Sequence, residues 1–88
     1  MQRYPPAARL SRREREVVEH IVDARDVKDI AHRMGLSVAT VRQYLARIYA
    51  TLGFHSRAEL QLWGTYQRIE RAHARLAAEE DAPEEPAA

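Results

Sequence analysis

The sequence contains no cysteine, which excludes disulfide bonds and metal sites built on thiolates. It also lacks an apolar run of about 18 residues and an N-terminal signal peptide, so no membrane-spanning helix is expected. The four histidines lack the spacing of metal ligands, and 88 residues form a core too small to surround a typical substrate pocket. No nucleophile–base pair and no phosphate-binding loop is recognisable. We therefore expect a soluble, cytoplasmic protein that is not an enzyme and has no cofactor or metal.

Acidic residues are absent from the middle of the chain, between Asp29 and Glu59, although they are common on both sides. The formal net charge is only +1, because the strongly acidic C-terminal segment offsets the positive charge of the rest of the chain, called here the basic body. A basic body suits a polyanionic partner such as nucleic acid. The C-terminal segment, rich in Glu and Pro, is typical of a solvated and disordered tail.

Apolar residues recur at helical spacing in four segments, and no segment alternates in the way that a strand does. Each segment follows a residue that caps helices well, and these residues are Ser11, Asp26, Ser37 and Ser56. The sequence therefore predicts an all-α fold, a four-helix bundle. The predicted helices cover residues 11–24, 27–34, 37–52 and 56–78.

The second and third predicted helices have the pattern of a helix-turn-helix. Ala31 is small where the two helices would approach, Gly35 lies at the turn, and Val41 points back between the helices. Outside this domain we expect a flexible arm, an extension of the fourth helix and an acidic disordered tail. The predicted divisions of the chain are 1–9 for the arm, 10–62 for the domain, 63–78 for the extension and 79–88 for the tail.

Five segments of the sequence together resemble the LuxR-type DNA-binding domain over residues 10–62. They read LSRREREVV from residue 10, KDIA from 28, GLS from 35, TVR from 40 and LARIYATLG from 45. The resemblance implies a four-helix domain that binds DNA as a dimer, with its third helix in the major groove and its fourth used for association. The chain departs from the usual pattern at Ala24, Tyr44 and Thr51, where Gly, His and Lys are frequent. Family members usually carry a sensor domain upstream, and since the arm is too short for one, we expect a stand-alone effector.

The outward face of the third helix is the candidate reader of DNA. On a helical wheel, Ala39, Gln43 and Ala46 lie opposite the apolar stripe, and Arg42 flanks them. Alanine permits close approach, while Gln and Arg can bond to adenine and guanine. We therefore predict base contacts from these four residues. The predicted phosphate contacts come from the helix start and nearby cations, and they are Lys28, Ser37, Thr40, Arg47 and Arg57.

The fourth helix carries a candidate dimer seam. Its members recur at alternating spacings of four and three residues, and they are Leu62, Tyr66, Ile69, His73 and Leu76. Trp63 stands beside the seam, where a large aromatic side chain can anchor an interface or belong to the core. The alternative is that the seam residues fold back on the core of their own protomer.

These patterns favour a bacterial, nucleoid-associated transcriptional regulator that binds specific sequences of double-stranded DNA. As a homodimer it would occupy two half-sites about one helical turn apart. Two alternatives use the same fold. One resembles the promoter-reading region of a sigma factor and depends on RNA polymerase, and the other is a protein-interaction module that binds polymerase or another regulator.

Overall fold

The computed structural model describes residues 5–81, and all of their regular structure is helical. A 3₁₀ turn, Ala7–Arg9, precedes four α-helices, and this confirms the predicted all-α class. The helices are α1 (Arg12–Val22), α2 (Val27–Met34), α3 (Val38–Leu52) and α4 (Arg57–Asp81). The predicted bounds are close for the first three helices, although α1 ends earlier than residue 24.

The helix starts are fixed by the capping residues that the sequence indicates. At α1, Ser11 Oγ accepts from the Glu14 N–H at 3.2 Å, and the Ser11 N–H donates to Glu14 Oε1 at 2.8 Å. At α2, Asp26 Oδ1 accepts from the Asp29 N–H at 2.8 Å. Because each cap satisfies backbone groups that the helix leaves free, the starts of these helices are set locally.

Three helices end in a residue with left-handed backbone geometry. Gly35 and Gly53 follow α2 and α3 with φ of 66° and 74°, while Ala24 follows α1 with φ of 61°. After Ala24, the N–H of Arg25 donates to the carbonyl of His20 at 3.1 Å, which completes a Schellman motif. Alanine in this geometry is strained by roughly 1–2 kcal/mol, because its Cβ approaches the following carbonyl.

Replacing Ala24 by glycine is expected to stabilise the protein by about 1 kcal/mol, since glycine adopts this geometry without steric cost. Ala24 is exposed, so the loss of its methyl group removes no core contact. Urea unfolding followed by circular dichroism measures the change. Ala50→Gly is the matched control within a helix, where a loss of about 1 kcal/mol is expected. If Ala24→Gly unfolds at a lower urea concentration than the wild type, the backbone of Ala24 is not strained.

The core lies where α1 packs against α3 and α4, and where α2 packs against α3. Ala31 and Val41 are both buried between α2 and α3, as the helix-turn-helix pattern predicts. From α4, Leu60 and Trp63 complete the core. The remaining buried apolar residues are Leu10, Val17, Val18, Ile21, Ile30, Leu45, Ile48 and Leu52.

Trp63 lies in the core of the protomer, which is one of the two places that the sequence leaves open for it. Its side chain is 1% exposed, and its ring meets that of Phe54 edge-on with centroids 6.2 Å apart. Its indole N–H donates to the Pro5 carbonyl at 2.9 Å. The partner of this hydrogen bond lies in the predicted arm, where Ala7 also packs against the core. The predicted flexible arm thus contains a 3₁₀ turn over Ala7–Arg9, and residues 1–4 lie outside the described part of the chain.

Gly64 allows α4 to approach α1 closely. A Cβ atom at this position would lie 2.5 Å from Val22 Cγ2 and 3.0 Å from Val18 Cγ1. These are tips of short, branched side chains in the core layer, so a larger residue would push the two helices apart. Glycine is a poor helix former, and the close approach of α4 to α1 explains why it occurs at this position.

Ion pairs extend the contact between α1 and α4 beyond Gly64. Arg68 bridges Glu19 at 2.7 Å and Asp23 at 2.9 Å, and Arg71 reaches Glu19 at 2.6 Å. Partial burial raises the pKa of Glu19, but the hydrogen bonds and charges of Arg71 and Arg68 outweigh it, and the net pKa is lowered. The hydrogen bond from Arg68 lowers the pKa of Asp23. These largely exposed ion pairs add polar contacts to the apolar packing of α4 against α1.

The C-terminal end of α4 runs three residues beyond the predicted extension, to Asp81. The predicted disordered tail is thus helical over residues 79–81, and residues 82–88 lie outside the described range. Within residues 5–81, no helix has the length and apolar character needed to span a membrane. The same residues contain no cluster of three or more side chains suited to binding a metal ion.

Candidate nucleic-acid interface

The outward face of α3 presents the four residues predicted to contact bases. Ala39, Arg42, Gln43 and Ala46 are all exposed on one side of the helix. The opposite side is buried and consists of Val41, Leu45, Ile48 and Leu52. Packing therefore fixes the rotation of α3, and this rotation turns a face of small side chains, one amide and one guanidinium toward solvent.

The start of α3 brings together two of the predicted phosphate contacts. Ser37 Oγ accepts from the Thr40 N–H at 3.0 Å and donates to Thr40 Oγ1 at 2.9 Å. The hydroxyl hydrogen of Ser37 is thereby used within the cap. The hydroxyl hydrogen of Thr40 is left to donate to a ligand, close to the free N–H groups of the first turn of α3.

The two arginines of α3 have no carboxylate partner, whereas several arginines of the other helices and loops do. Arg25, Arg33 and Arg68 each pair with at least one carboxylate. Arg42 and Arg47 form no ion pair with any residue in the range 5–81, as the acid-free middle of the sequence implies. Positive charge on α3 is thus not neutralised by the described part of the protein.

Two further predicted phosphate contacts lie outside α3 and have different surroundings. Lys28 is exposed in the first turn of α2. Arg57 is half-buried, and its guanidinium donates to the backbone carbonyl of Arg25. This hydrogen bond ties the start of α4 to the loop between α1 and α2, so Arg57 has a structural partner that the sequence pattern did not indicate.

Sequence reasoning missed Tyr44 as a member of this surface, because its spacing places it with the apolar residues of α3. In the structure Tyr44 is only half-buried. Together with Thr40, Gln43 and Arg47 it lines a shallow depression beside the outward face. The sequence does place the phenol group of Tyr44 three residues before Arg47, which is about one helical turn. This spacing could have predicted that the two side chains are neighbours on the surface of α3.

The predicted seam on α4 faces away from the core. Leu62, Ile69 and Leu76 are 62%, 60% and 59% exposed, and Tyr66 is 42% exposed. His73 is exposed between them. The alternative that these side chains fold back on their own protomer is therefore wrong for the large apolar members. Leu62, Tyr66, Ile69 and Leu76 form a stripe, called here the α4 stripe, along the outer side of the helix, and His73 interrupts it before Leu76.

The arrangement of α2, the turn at residues 35–37 and α3 defines a helix-turn-helix domain, with α3 as its second helix. The GerE profile, described as bacterial regulatory proteins of the luxR family, matches residues 8–63. The chain belongs to this family, as the sequence motifs predict.

A relative in Streptomyces halstedii bears the name "Probable HTH-type transcriptional regulator GfsR". It is 39% identical to this chain over 69 residues, which is 77% of the chain and 28% of the relative. The chain therefore spans little more than a quarter of the length of that protein. The LuxR-type family binds DNA and is not enzymatic, so family membership confirms a DNA-binding regulatory domain and the expectation that the chain is not an enzyme.

Proposed function

We propose that this protein recognises a specific DNA sequence as a homodimer and thereby regulates transcription. The observation that carries the proposal is the outward face of α3, where Ala39 and Ala46 leave room for close approach, and where Gln43 and Arg42 are exposed with no ion pair to Arg42 from residues 5–81. A major groove about 12 Å wide admits one α-helix with such small side chains. The regulatory name of the Streptomyces relative is consistent with this role.

Within this proposal, α3 reads the bases and its surroundings set its position on the duplex. Arg42 is suited to the O6 and N7 acceptors of guanine, and Gln43 to adenine. The methyl groups of Ala39 and Ala46 can contact the thymine methyl group.

Phosphate contacts hold the helix in place without reading the sequence. We assign them to Lys28, Arg47 and the start of α3 at Ser37 and Thr40. Arg57 stays in this set: its guanidinium donates one N–H to the Arg25 carbonyl, and its other N–H groups are left for a phosphate.

We assign the α4 stripe to the dimer contact. An apolar stripe on the outer side of a single helix can be covered by the same stripe of a second copy, around a two-fold axis. Two α3 helices related by that axis would enter successive major grooves about 34 Å apart. The buried side chain of Trp63 and the close approach of Gly64 to α1 support this geometry, because they pack the start of α4 tightly against the rest of the domain.

Binding to duplex DNA is expected to weaken steeply as salt is added. If Lys28, Arg47 and Arg57 each displace a counterion, a dimer neutralises about six phosphates, and a plot of log K against log salt should have a slope of about −5. Fluorescence anisotropy with a labelled duplex, titrated at several salt concentrations, gives the slope. Lys28→Ala should make it shallower by about one per protomer. A flat salt response would contradict the proposed interface.

A further inference from the structure

The aromatic ring of Tyr44 lies next to the guanidinium of Arg47, at the edge of the outward face of α3. Tyr44 is half-buried against the core, and it also lines the depression shared with Thr40, Gln43 and Arg47. The guanidinium carbon of Arg47 lies 6.0 Å from the centroid of the ring. This separation lies at the outer limit of a cation–π contact. Since the ring is anchored in the core, the contact restricts where the Arg47 side chain can lie.

With the ring of Tyr44 as its neighbour, the guanidinium of Arg47 can still bind an anion. A carboxylate neighbour would already occupy it. In the ion pairs of Arg33 and Arg68, the carboxylates neutralise the guanidinium and occupy its N–H groups. The ring of Tyr44 contacts a guanidinium without neutralising it. The N–H groups of arginine lie in the guanidinium plane, so contact with one face leaves them available for planar, bidentate bonding. A phosphodiester is the ligand that matches this arrangement.

We infer that Tyr44 is a positioning residue of the DNA interface, which holds Arg47 in place for a phosphodiester of the DNA backbone. The inference rests on the proposed function and names the residue that fixes one of its phosphate contacts. Thr40 lies in the same depression and has a hydroxyl hydrogen to donate, so one phosphate group can meet both side chains.

A double-mutant cycle on DNA affinity tests the coupling between Tyr44 and Arg47. The four proteins are the wild type, Tyr44→Leu, Arg47→Ala and the double variant, and the probe is the duplex that the wild type selects from random DNA. Tyr44→Leu is expected to weaken binding about two- to fivefold when Arg47 is present, and to have little effect when alanine replaces it. Arg47→Ala should also make the salt slope shallower by about one per protomer. Tyr44→Phe keeps the ring and should bind within about twofold of the wild type.

Tyr49→Leu is the matched control for loss of a half-buried tyrosine from α3. Tyr49 also packs against the core, but no described cation lies over its ring. The inference is overturned if Tyr44→Leu has no effect, if it weakens binding equally in both Arg47 backgrounds, or if Tyr49→Leu shows the same dependence on Arg47. Failure of the wild type to bind any specific duplex would instead refute the proposed function, and the inference with it. Normal wild-type binding without coupling would refute the inference alone.

Discussion

Replacing Arg42 and Gln43 together by alanine is expected to abolish specific DNA binding while the fold and the dimer persist. Each good bidentate contact to a base discriminates by roughly 1–3 kcal/mol, so loss of both should weaken operator binding by about 30-fold or more per protomer. Both side chains are exposed, and neither has a described partner within residues 5–81, so their removal leaves the core intact. Affinity for the operator and for an unrelated duplex, measured side by side, gives the loss of specificity.

The control for this double variant is Arg12→Ala, which removes one positive charge from an exposed position on α1. It should weaken binding to all duplexes slightly and equally, because it lies outside the proposed reading face. Sedimentation and circular dichroism should show unchanged association and helicity for both variants. Retention of specific binding by Arg42→Ala/Gln43→Ala would refute α3 as the reading helix.

Replacing Trp63 by alanine is expected to have the largest effect on stability, about 3–5 kcal/mol. The side chain is fully buried, and its removal leaves a cavity beside Phe54 and an unpaired carbonyl at Pro5. Domains of this size are stable by about 5–15 kcal/mol, so the variant should lose a large part of the total stability and unfold at a clearly lower temperature. Thermal and urea unfolding followed by circular dichroism measure the loss.

Two further variants separate the contributions at this position. Trp63→Phe keeps much of the packing but loses the hydrogen bond to Pro5, so it should cost about 1–2 kcal/mol. Leu62→Ala changes the neighbouring residue, which is exposed, and should change the unfolding free energy of the monomer by no more than about 0.5 kcal/mol. Leu62→Ala should instead weaken dimerisation. Equal destabilisation by Trp63→Ala and Leu62→Ala would contradict the division between the core and the α4 stripe.

Much of the fold follows from short-range patterns in the sequence. The caps at Ser11, Asp26 and Ser37 are separated from their partners by three residues, and they are found where the sequence places them. The helix-turn-helix also depends on residues that are close in sequence, since Ala31 and Val41 lie on adjacent helices. The rotation of α3 follows from its apolar stripe. The composition of the outward face was therefore predictable before the structure.

The features that were missed depend on contacts between distant parts of the chain. Trp63 adjoins the α4 stripe in sequence, but one residue along a helix is a rotation of about 100°, which turns it inward onto Pro5 and Phe54. Gly64 is unfavourable for a helix considered alone, and only its contact with α1 explains it. Arg57 carries the charge of a phosphate ligand, yet its partner is a backbone carbonyl 32 residues earlier.

The central claim is that the outward face of α3 reads a DNA sequence, and selection from a random duplex pool with the wild-type chain tests it most directly. We expect enrichment of one motif with two inverted half-sites, whose centres lie about 10–10.5 base pairs apart. A final pool no different from the starting pool would contradict the claim.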